Sequence, residues 1–427
     1  MRKIVLASIG SLGDLHPFIA IGLALKKRGL RAVLAVPEDH LAKVRAAGLE
    51  AQPVLPSFAT VTAKLGMSEE EVVHRVMRDQ RFLLERFLLK WVRPSTLALD
   101  EIAVDASAIV GSLFMFAAPI VAQKRGIPLI AAMLQPMTMF SAYEPPCTSD
   151  FRFFRHAPVG MAGAAWNRVC YGLAGTMLRA RYASQIDEVR VEHGLRPRRA
   201  PVLLDQGGEP ALTLCCWSSL LGPLQRDAPP GARVVGFPVF DSDGGDVQPL
   251  DPEIDRFLSA GKPPLVFTLG SLAIAAPGSF FGEAMEAVRR MGERAVLLAG
   301  DAPVSGQFPD VLVRRYLPHS LLFPHASAII HHGGIGTTAQ ALIAGKPQLV
   351  VPHMGDQYDN AARLVRLGVA RILSTDAFSA DAAVSCLARL TKDQTYAATA
   401  SRAATALAGD DGAATAAEAI KEAIAIP

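Results

Sequence analysis

Short apolar runs of small and β-branched residues alternate along this chain with longer stretches whose apolar positions recur every three to four residues. Near the N-terminus, Ile4-Val5-Leu6-Ala7-Ser8-Ile9 predicts a buried strand and Gly10-Ser11-Leu12-Gly13-Asp14 a turn. Pro17 then opens an amphipathic helix that runs through Lys27, Gly29 closes it, and Arg31–Val36 forms the next strand, a βαβ unit. Further strands are predicted at Ala108–Val110 and Leu129–Ala132. The alternation starts again at Pro264–Ser271 and continues through Arg294–Ala299, Ala326–Ile330 and Gln348–Val351, with helices between. The repeat predicts an α/β protein of two Rossmann-like doubly wound domains facing a central cleft. Residues 1–240 form the first domain, 241–252 a polar, glycine-rich linker, 253–410 the second domain, and 411–427 an alanine-rich helix that packs on the body. Residues 150–194 read as mainly helical and belong to neither repeat.

The richest stretch for chemistry is His331-His332-Gly333-Gly334-Ile335-Gly336-Thr337-Thr338-Ala339-Gln340, followed by Asp356-Gln357. It follows a predicted strand and opens a helix that stops at Gly345. Glycines let the backbone turn and approach a ligand closely. A helix N-terminus beyond them offers unpaired N–H groups and the positive end of its dipole. Such a cradle suits a diphosphate, with His332 as a further N–H donor. A dinucleotide reading also exists, because Gly334-Ile335-Gly336 precedes a helix and an acidic residue, Asp356, comes about 20 residues later. Against it, the loop follows the fourth strand of its half rather than the first, and two histidines precede it.

Composition narrows the setting. The chain has 427 residues, enough for about two domains, and a net charge of +3 leaves no electrostatic case for nucleic acid. Its five cysteines have no CxxC spacing, and their odd number argues against a disulfide framework. No apolar run reaches the ~20 residues that a membrane-spanning helix needs, and the N-terminal run is too short for a signal peptide core. The expectation is a cytoplasmic protein with peripheral contact at the inner membrane face.

Three blocks in order, Tyr316-Leu317-Pro318-His319, then His332-Gly333-Gly334-Ile335-Gly336-Thr337-Thr338, then Asp356-Gln357-Tyr358-Asp359-Asn360-Ala361, resemble the donor-binding half of family 1 glycosyltransferases of GT-B architecture. The turn Gly10-Ser11-Leu12-Gly13-Asp14-Leu15-His16-Pro17-Phe18 resembles the N-terminal loop of the sterol and antibiotic branches. Gly236–Asp241 and Pro264–Thr268 resemble the branch that makes rhamnolipids. The resemblance implies an inverting, metal-independent transfer of a hexose or deoxyhexose from a UDP- or dTDP-sugar to a hydroxyl of a hydrophobic, lipid-like acceptor. The nucleotide sugar is a co-substrate, and no cofactor is expected. In that scheme Tyr316 stacks on the base where plant relatives have tryptophan. Gln340 stands where they have a ribose-binding glutamate, and His319 reaches the ribose or base edge. Ser271, His332 and the backbone of Gly334, Gly336, Thr337 and Thr338 meet the diphosphate, while Asp356 and Gln357 hold the sugar hydroxyls.

Transfer to an alcohol needs a base, and two residues compete for the role. Asp14 occupies the position that the resemblance gives to the base; its bland reading is an N-cap for the following helix. His16, two residues on, has the better unperturbed pKa, about 6.5 against about 3.9. Asp356 and Gln357 read blandly as a solvated turn, and His331 has no assigned role. The only Asp-x-Asp near a predicted strand, Asp241-x-Asp243, falls in the linker, so no metal site is expected. Phe151-Arg152-Phe153-Phe154-Arg155-His156 with Trp166-Asn167-Arg168 and Tyr171 reads as a membrane or amphiphile surface, or equally as an ordinary packed helix pair. Phe82–Leu89 before Trp91 reads as core rather than an acyl tunnel. A nucleotide-sugar epimerase and a non-catalytic lipid-binding relative are the remaining alternatives.

Overall fold

The computed structural model describes residues 1–156, 159–205, 208–242, 249–271, 273–304, 306 and 308–425. Residues 243–248 of the predicted linker, Asp243 among them, lie outside the described residues, as do 426 and 427 at the end of the C-terminal helix. The chain divides into two compact units, Met1–Phe240 with Asp411–Pro427, and Asp241–Asp410.

The first unit holds a parallel sheet of seven strands: β1 (Lys3–Ala7), β2 (Arg31–Pro37), β3 (Glu50–Leu55), β4 (Ala106–Ser112), β5 (Leu129–Met133), β6 (Leu212–Cys215) and β7 (Ala232–Val234). Their order is β3-β2-β1-β4-β5-β6-β7. Helices α1 (Leu12–Lys27), α2 (Val92–Ile102), α3 (Ala117–Arg125) and α4 (Met161–Glu192) cover it. The second unit has six parallel strands in the order β10-β9-β8-β11-β12-β13. They are β8 (Leu265–Thr268), β9 (Ala295–Leu298), β10 (Val311–Arg314), β11 (Ala328–His331), β12 (Gln348–Val350) and β13 (Ala370–Ile372). Helices α5 (His319–Leu322), α6 (Ile335–Ile343) and α7 (Asp356–Leu367) follow β10, β11 and β12. Both sheets follow the 3-2-1-4-5-6 order of doubly wound nucleotide-binding folds, the first extended by β7, and their switch point lies between the first and fourth strands.

Alternate residues of each strand feed opposite cores, as pleating requires. Ile4, Leu6, Leu34, Val110 and Ile130 face α1, joined there by Ala416, Ala417 and Ile420 of the C-terminal helix α8 (Gly412–Ala425). Val5, Ala7, Ala35 and Ile109 face α2 and α3. The alanine-rich tail therefore returns to the first unit. Small side chains suit it, because Gly412 lies so close to the backbone of Gly236 and Phe237 that a Cβ would not fit.

The first helix differs from the sequence expectation. It starts at Leu12, not Pro17, because Ser11 caps it and Asp14 returns the bond to Ser11 in a capping box. Pro17 lies inside, in the second turn. Its face from Leu15 to Leu25 is almost wholly buried, so it is not amphipathic: the sheet takes one side and α8 the other. The insert after residue 150 is dominated by α4, a single helix of 32 residues. No described helix is long and apolar enough to cross a membrane.

Candidate active site

Because the second sheet is parallel, the loops after β8, β10, β11 and β12 all leave one edge. They carry Ser271, Tyr316 with His319, the His332–Gly334 turn, and Asp356 with Gln357. β8 and β11 are neighbours, with Thr268 opposite His331, so the glycine turn sits at the switch point. Gly334 is the N-cap of α6 and has no side chain to satisfy the first turn. The first backbone bond into the helix is Thr338 N–H to Gly334 O, 2.9 Å, so the preceding N–H groups point out of the helix end. Gly336 is exposed, and no other heavy atom stands within 4 Å of where a Cβ would project. The turn and the helix end together form an anion cradle.

Buried side chains hold that cradle in shape. Gly333 N–H donates to His331 Nδ1 at 3.1 Å, so the His331 proton sits on Nε2 and is donated to Gln348 Oε1 at 2.9 Å. Burial pushes His331 down to about 4, so the ring is neutral. His332 is also neutral: burial, then the neighbouring His331, His353 and His319, push it well below the ordinary imidazole value. Its Nε2 edge fills the space beside Gly270 and Gly334, where a Cβ on either glycine would collide with it. Its Nδ1 is buried without a hydrogen-bond partner among the described residues. Gly333 has φ +90°, and a Cβ there would meet Val350 at 2.8 Å and the Gln357 carbonyl at 3.0 Å. Asn360 Nδ2 donates to Gly333 O at 3.0 Å and to Asp356 Oδ2 at 3.0 Å. Gln357 Oε1 accepts the N–H groups of His353 (2.8 Å) and Met354 (3.2 Å).

Tyr316 and His319 lie beyond β10 on the same edge. The Tyr316 hydroxyl donates to Asp241 Oδ1 and Ser320 N–H to Oδ2, each at 2.6 Å. Burial raises the Asp241 carboxyl, but the His319 imidazole and these two bonds outweigh it and hold the group below its usual range. His319 stacks on Phe323 at 4.4 Å and stands 6.2 Å from the Tyr316 ring. Thr338 Oγ1 and Gln340 Oε1 are buried without partners among the described residues. Ser271 is exposed beyond β8.

In the first unit, β1 and β4 flank the corresponding switch point, with Ala7 opposite Gly111. Gly10 has φ +129°, and a Cβ there would run into the Asp14 carboxylate. Asp14 Oδ2 accepts Ser11 N–H at 3.0 Å, and Ser8 Oγ donates to the Asp14 carbonyl at 3.2 Å. Burial pushes Asp14 up to about 6, against the opposing hydrogen bonds from Ser11. A half-buried carboxyl of that pKa, at a strand's carboxyl end, is suited to take a proton near neutral pH. His16 lies one turn on, its Nε2 3.4 Å from Lys43 Nζ and its ring edge-on to Phe240 at 5.5 Å. When Lys43 donates there, the lone pair that a base would use is taken.

Comparison with known proteins agrees with this geometry. Residues 4–144 match the model of the glycosyltransferase family 28 N-terminal domain, and residues 283–425 that of the erythromycin biosynthesis protein CIII-like C-terminal domain. The chain is 31% identical over 387 residues to O-mycaminosyltylonolide 6-deoxyallosyltransferase of Streptomyces fradiae, covering 86% of this chain and 84% of that protein. It belongs to the GT-B glycosyltransferases. The vancomycin aglycone glucosyltransferase of Amycolatopsis orientalis is 29% identical over 99% of this chain and 98% of its own length. The structure of the glycosyltransferase VinC in complex with dTDP superposes with a TM-score of 0.67, at 18% identity over 99% of both chains. The protein is an enzyme that transfers sugar from a nucleotide sugar.

The transferase also has an apolar pocket in its first unit. Gly111, Ala131 and Met133 of the sheet, Phe116 and Ile120 beside and on α3, and Ile186 of α4 line it. Asp187, Arg198 and Asp205 form a polar rim, Asp187 accepting the N–H groups of Arg198 and Arg199 and Arg198 pairing with Asp205 at 3.1 Å. Leu203, which lines the pocket, and Arg199, next to Arg198, have positive φ, 72° and 50°, which costs non-glycine residues free energy. Leu84 and Leu89 of the Phe82–Leu89 segment are core, packed in the cluster that holds Ile120 and Val202 behind the pocket.

Several positioning residues of the glycosyltransferase escaped the sequence reading. Gln348 stands in the strand beside His331, and nothing local connects them. Asn360 was readable in part, since Asp356 and Asn360 are four apart and must share a helix face. Asp241, read as linker, anchors Tyr316.

Proposed function

We propose that this glycosyltransferase moves a hexose or deoxyhexose from a UDP- or dTDP-sugar to a hydroxyl of a hydrophobic acceptor, with inversion and without a metal ion. The observation that carries the reading is Asp14, a half-buried carboxyl raised to about 6 at the switch point of the first sheet. Ser11 engages Oδ2, so Oδ1 takes the proton of the acceptor hydroxyl as the new C–O bond forms at the anomeric carbon. The bond from that carbon to the diphosphate oxygen breaks, and the leaving group departs with the electron pair. The N–H groups at the start of α6, with His332 and the Ser271 turn, meet the charge it acquires. Neutral donors suffice here, as preorganised dipoles act strongly where water is excluded. His16 is the second candidate base, disfavoured because Lys43 occupies its Nε2.

The relatives' names support the donor range, one a deoxyallosyltransferase and another a glucosyltransferase, and the dTDP complex of VinC supports a deoxythymidine nucleotide. Tyr316, tied by its hydroxyl to Asp241, offers its ring to the base. The apolar pocket beneath α3 and α4 supports a hydrophobic acceptor. Thermal shift with UDP, dTDP and NAD at equal concentration tests the donor reading. A ligand at a hundredfold excess over its Kd stabilises the fold by about 2.7 kcal/mol. A shift with UDP or dTDP is expected, and a shift with NAD alone overturns the assignment. Incubation of the dTDP- or UDP-sugar with long-chain hydroxylated acceptors and chelator then tests the acceptor and metal independence.

A further inference from the structure

The first half of α4 is amphipathic in the wrong sense for a packed surface helix, which turns its polar side to water. Trp166, Val169, Leu173 and Met177 recur at steps of three and four and are 49%, 55%, 65% and 71% exposed. Phe153 and Met161, 67% and 84% exposed, extend the stripe. It stands on an ordered scaffold. Asn167, fully buried, accepts Arg155 N–H at 2.8 Å and donates to Arg155 O at 2.9 Å and Ala142 O at 2.8 Å, stapling the preceding segment to the helix. Trp166 Nε1 donates to Phe153 O at 2.8 Å, fixing the two exposed aromatics together. Phe151, Phe154 and Tyr171 pack inward around Phe140, so only part of the aromatic set faces out.

Charge decides what the stripe meets. From residue 151 to 186 the sequence contains no aspartate or glutamate but has Arg152, Arg155, Arg168, Arg179 and Arg181, all exposed. Arg181 pairs with Glu85 at 2.9 Å; the other four have no carboxylate partner among the described residues. We propose that this face lies on an anionic phospholipid bilayer, with the stripe at the acyl boundary and its flanking arginines, Arg155 and Arg152 over the Phe153 ring at 4.9 Å, at the headgroup phosphates. A second copy docking by the same face would set like arginines against each other across a two-fold axis, whereas lipid phosphates neutralise them. The same helix lines the acceptor pocket further along through Ala183 and Ile186, so bilayer and pocket share one element. That purpose rests on the reading of a hydrophobic acceptor; the surface itself does not.

The full chain is tested by flotation with vesicles of phosphatidylcholine alone or mixed with phosphatidylglycerol. It floats with the mixed vesicles and binds neutral ones at least about tenfold more weakly, with the difference reduced at high salt. The double variant Leu173→Ser/Met177→Ser, checked for an unchanged melting temperature and nucleotide-induced shift, loses flotation. Arg152→Gln/Arg155→Gln loses the preference for anionic lipid. Absence of binding to mixed vesicles, or binding that the Leu173→Ser/Met177→Ser variant retains, overturns the proposal. So does a concentration-dependent dimer that this variant dissolves, without vesicle binding. Flotation that persists while no amphiphilic alcohol is glycosylated in detergent separates a wrong acceptor from a wrong surface.

Discussion

Asp14 closes a capping box and is the proposed base, and one pair of substitutions separates the two roles. Asp14→Asn keeps an Oδ1 that can accept Ser11 N–H, so the capping box survives, but it removes the proton acceptor. Asp14→Ala removes both, leaving Ser11 N–H without its side-chain acceptor. The wild-type rise from 3.8 to about 6 corresponds to about 3 kcal/mol between the two protonation states. Its sign is destabilising. Between about pH 4 and 6 the native state binds more protons at Asp14 than the unfolded chain, so this contribution to stability falls as pH rises through that window. Asp14→Asn does not titrate. It should match wild type near pH 4 and exceed it by about 1–3 kcal/mol at pH 8 in urea unfolding. Initial rates with a nucleotide sugar and an acceptor should drop by 10²- to 10⁴-fold for both variants, with dTDP or UDP binding unchanged. The wild-type kcat/KM should fall below about pH 6. Transfer by Asp14→Asn within about threefold of wild type would refute the base assignment. A stability difference that does not change with pH would refute the burial argument.

Further outcomes concern the glycine turn before α6, the proposed donor cradle. Gly333→Ala forces an L residue to φ +90° against Val350 and the Gln357 carbonyl, and should cost about 2 kcal/mol or more in thermal unfolding. Asn360→Ala strands the Gly333 carbonyl; nucleotide affinity measured by calorimetry should fall while the melting temperature drops by the equivalent of about 1–3 kcal/mol. Gly334→Ala should displace His332 and weaken diphosphate binding far more than Gly336→Ala, whose Cβ meets nothing. Because burial depresses His331 to about 4, the unfolded chain binds its proton first. Stability from this group is present above about pH 6.5 and lost as pH falls towards 4, and His331→Asn should flatten that limb of the unfolding curve.

Local patterns carried much of the architecture. Alternating strands and helices, repeated twice, were enough for two doubly wound domains, because parallel sheets buried on both faces require continuous apolar strands. The glycine turn was legible for a related reason: glycines after an apolar strand and before a helical run mark a strand-to-helix turn. The start of α1 was misread because Pro17 is a strong local signal, while the capping box of Ser11 and Asp14 depends on a turn conformation that residue types only permit. Asp14 was readable as a candidate base from resemblance, but its raised pKa comes from burial, which no local pattern displays.

What the sequence determined by itself was therefore the two alternating runs of strands and helices and the place of a glycine turn at a helix N-terminus, since periodicity and glycine placement act over a few residues. What only tertiary structure decided were the partnerships across strands: Gln348 setting the His331 proton, Asn360 holding Gly333, and Lys43 at His16. The same holds for the outward turn of the α4 stripe. These depend on which segments packing brings within about 3 Å, the range over which hydrogen bonds act, and chain separation carries no trace of that distance.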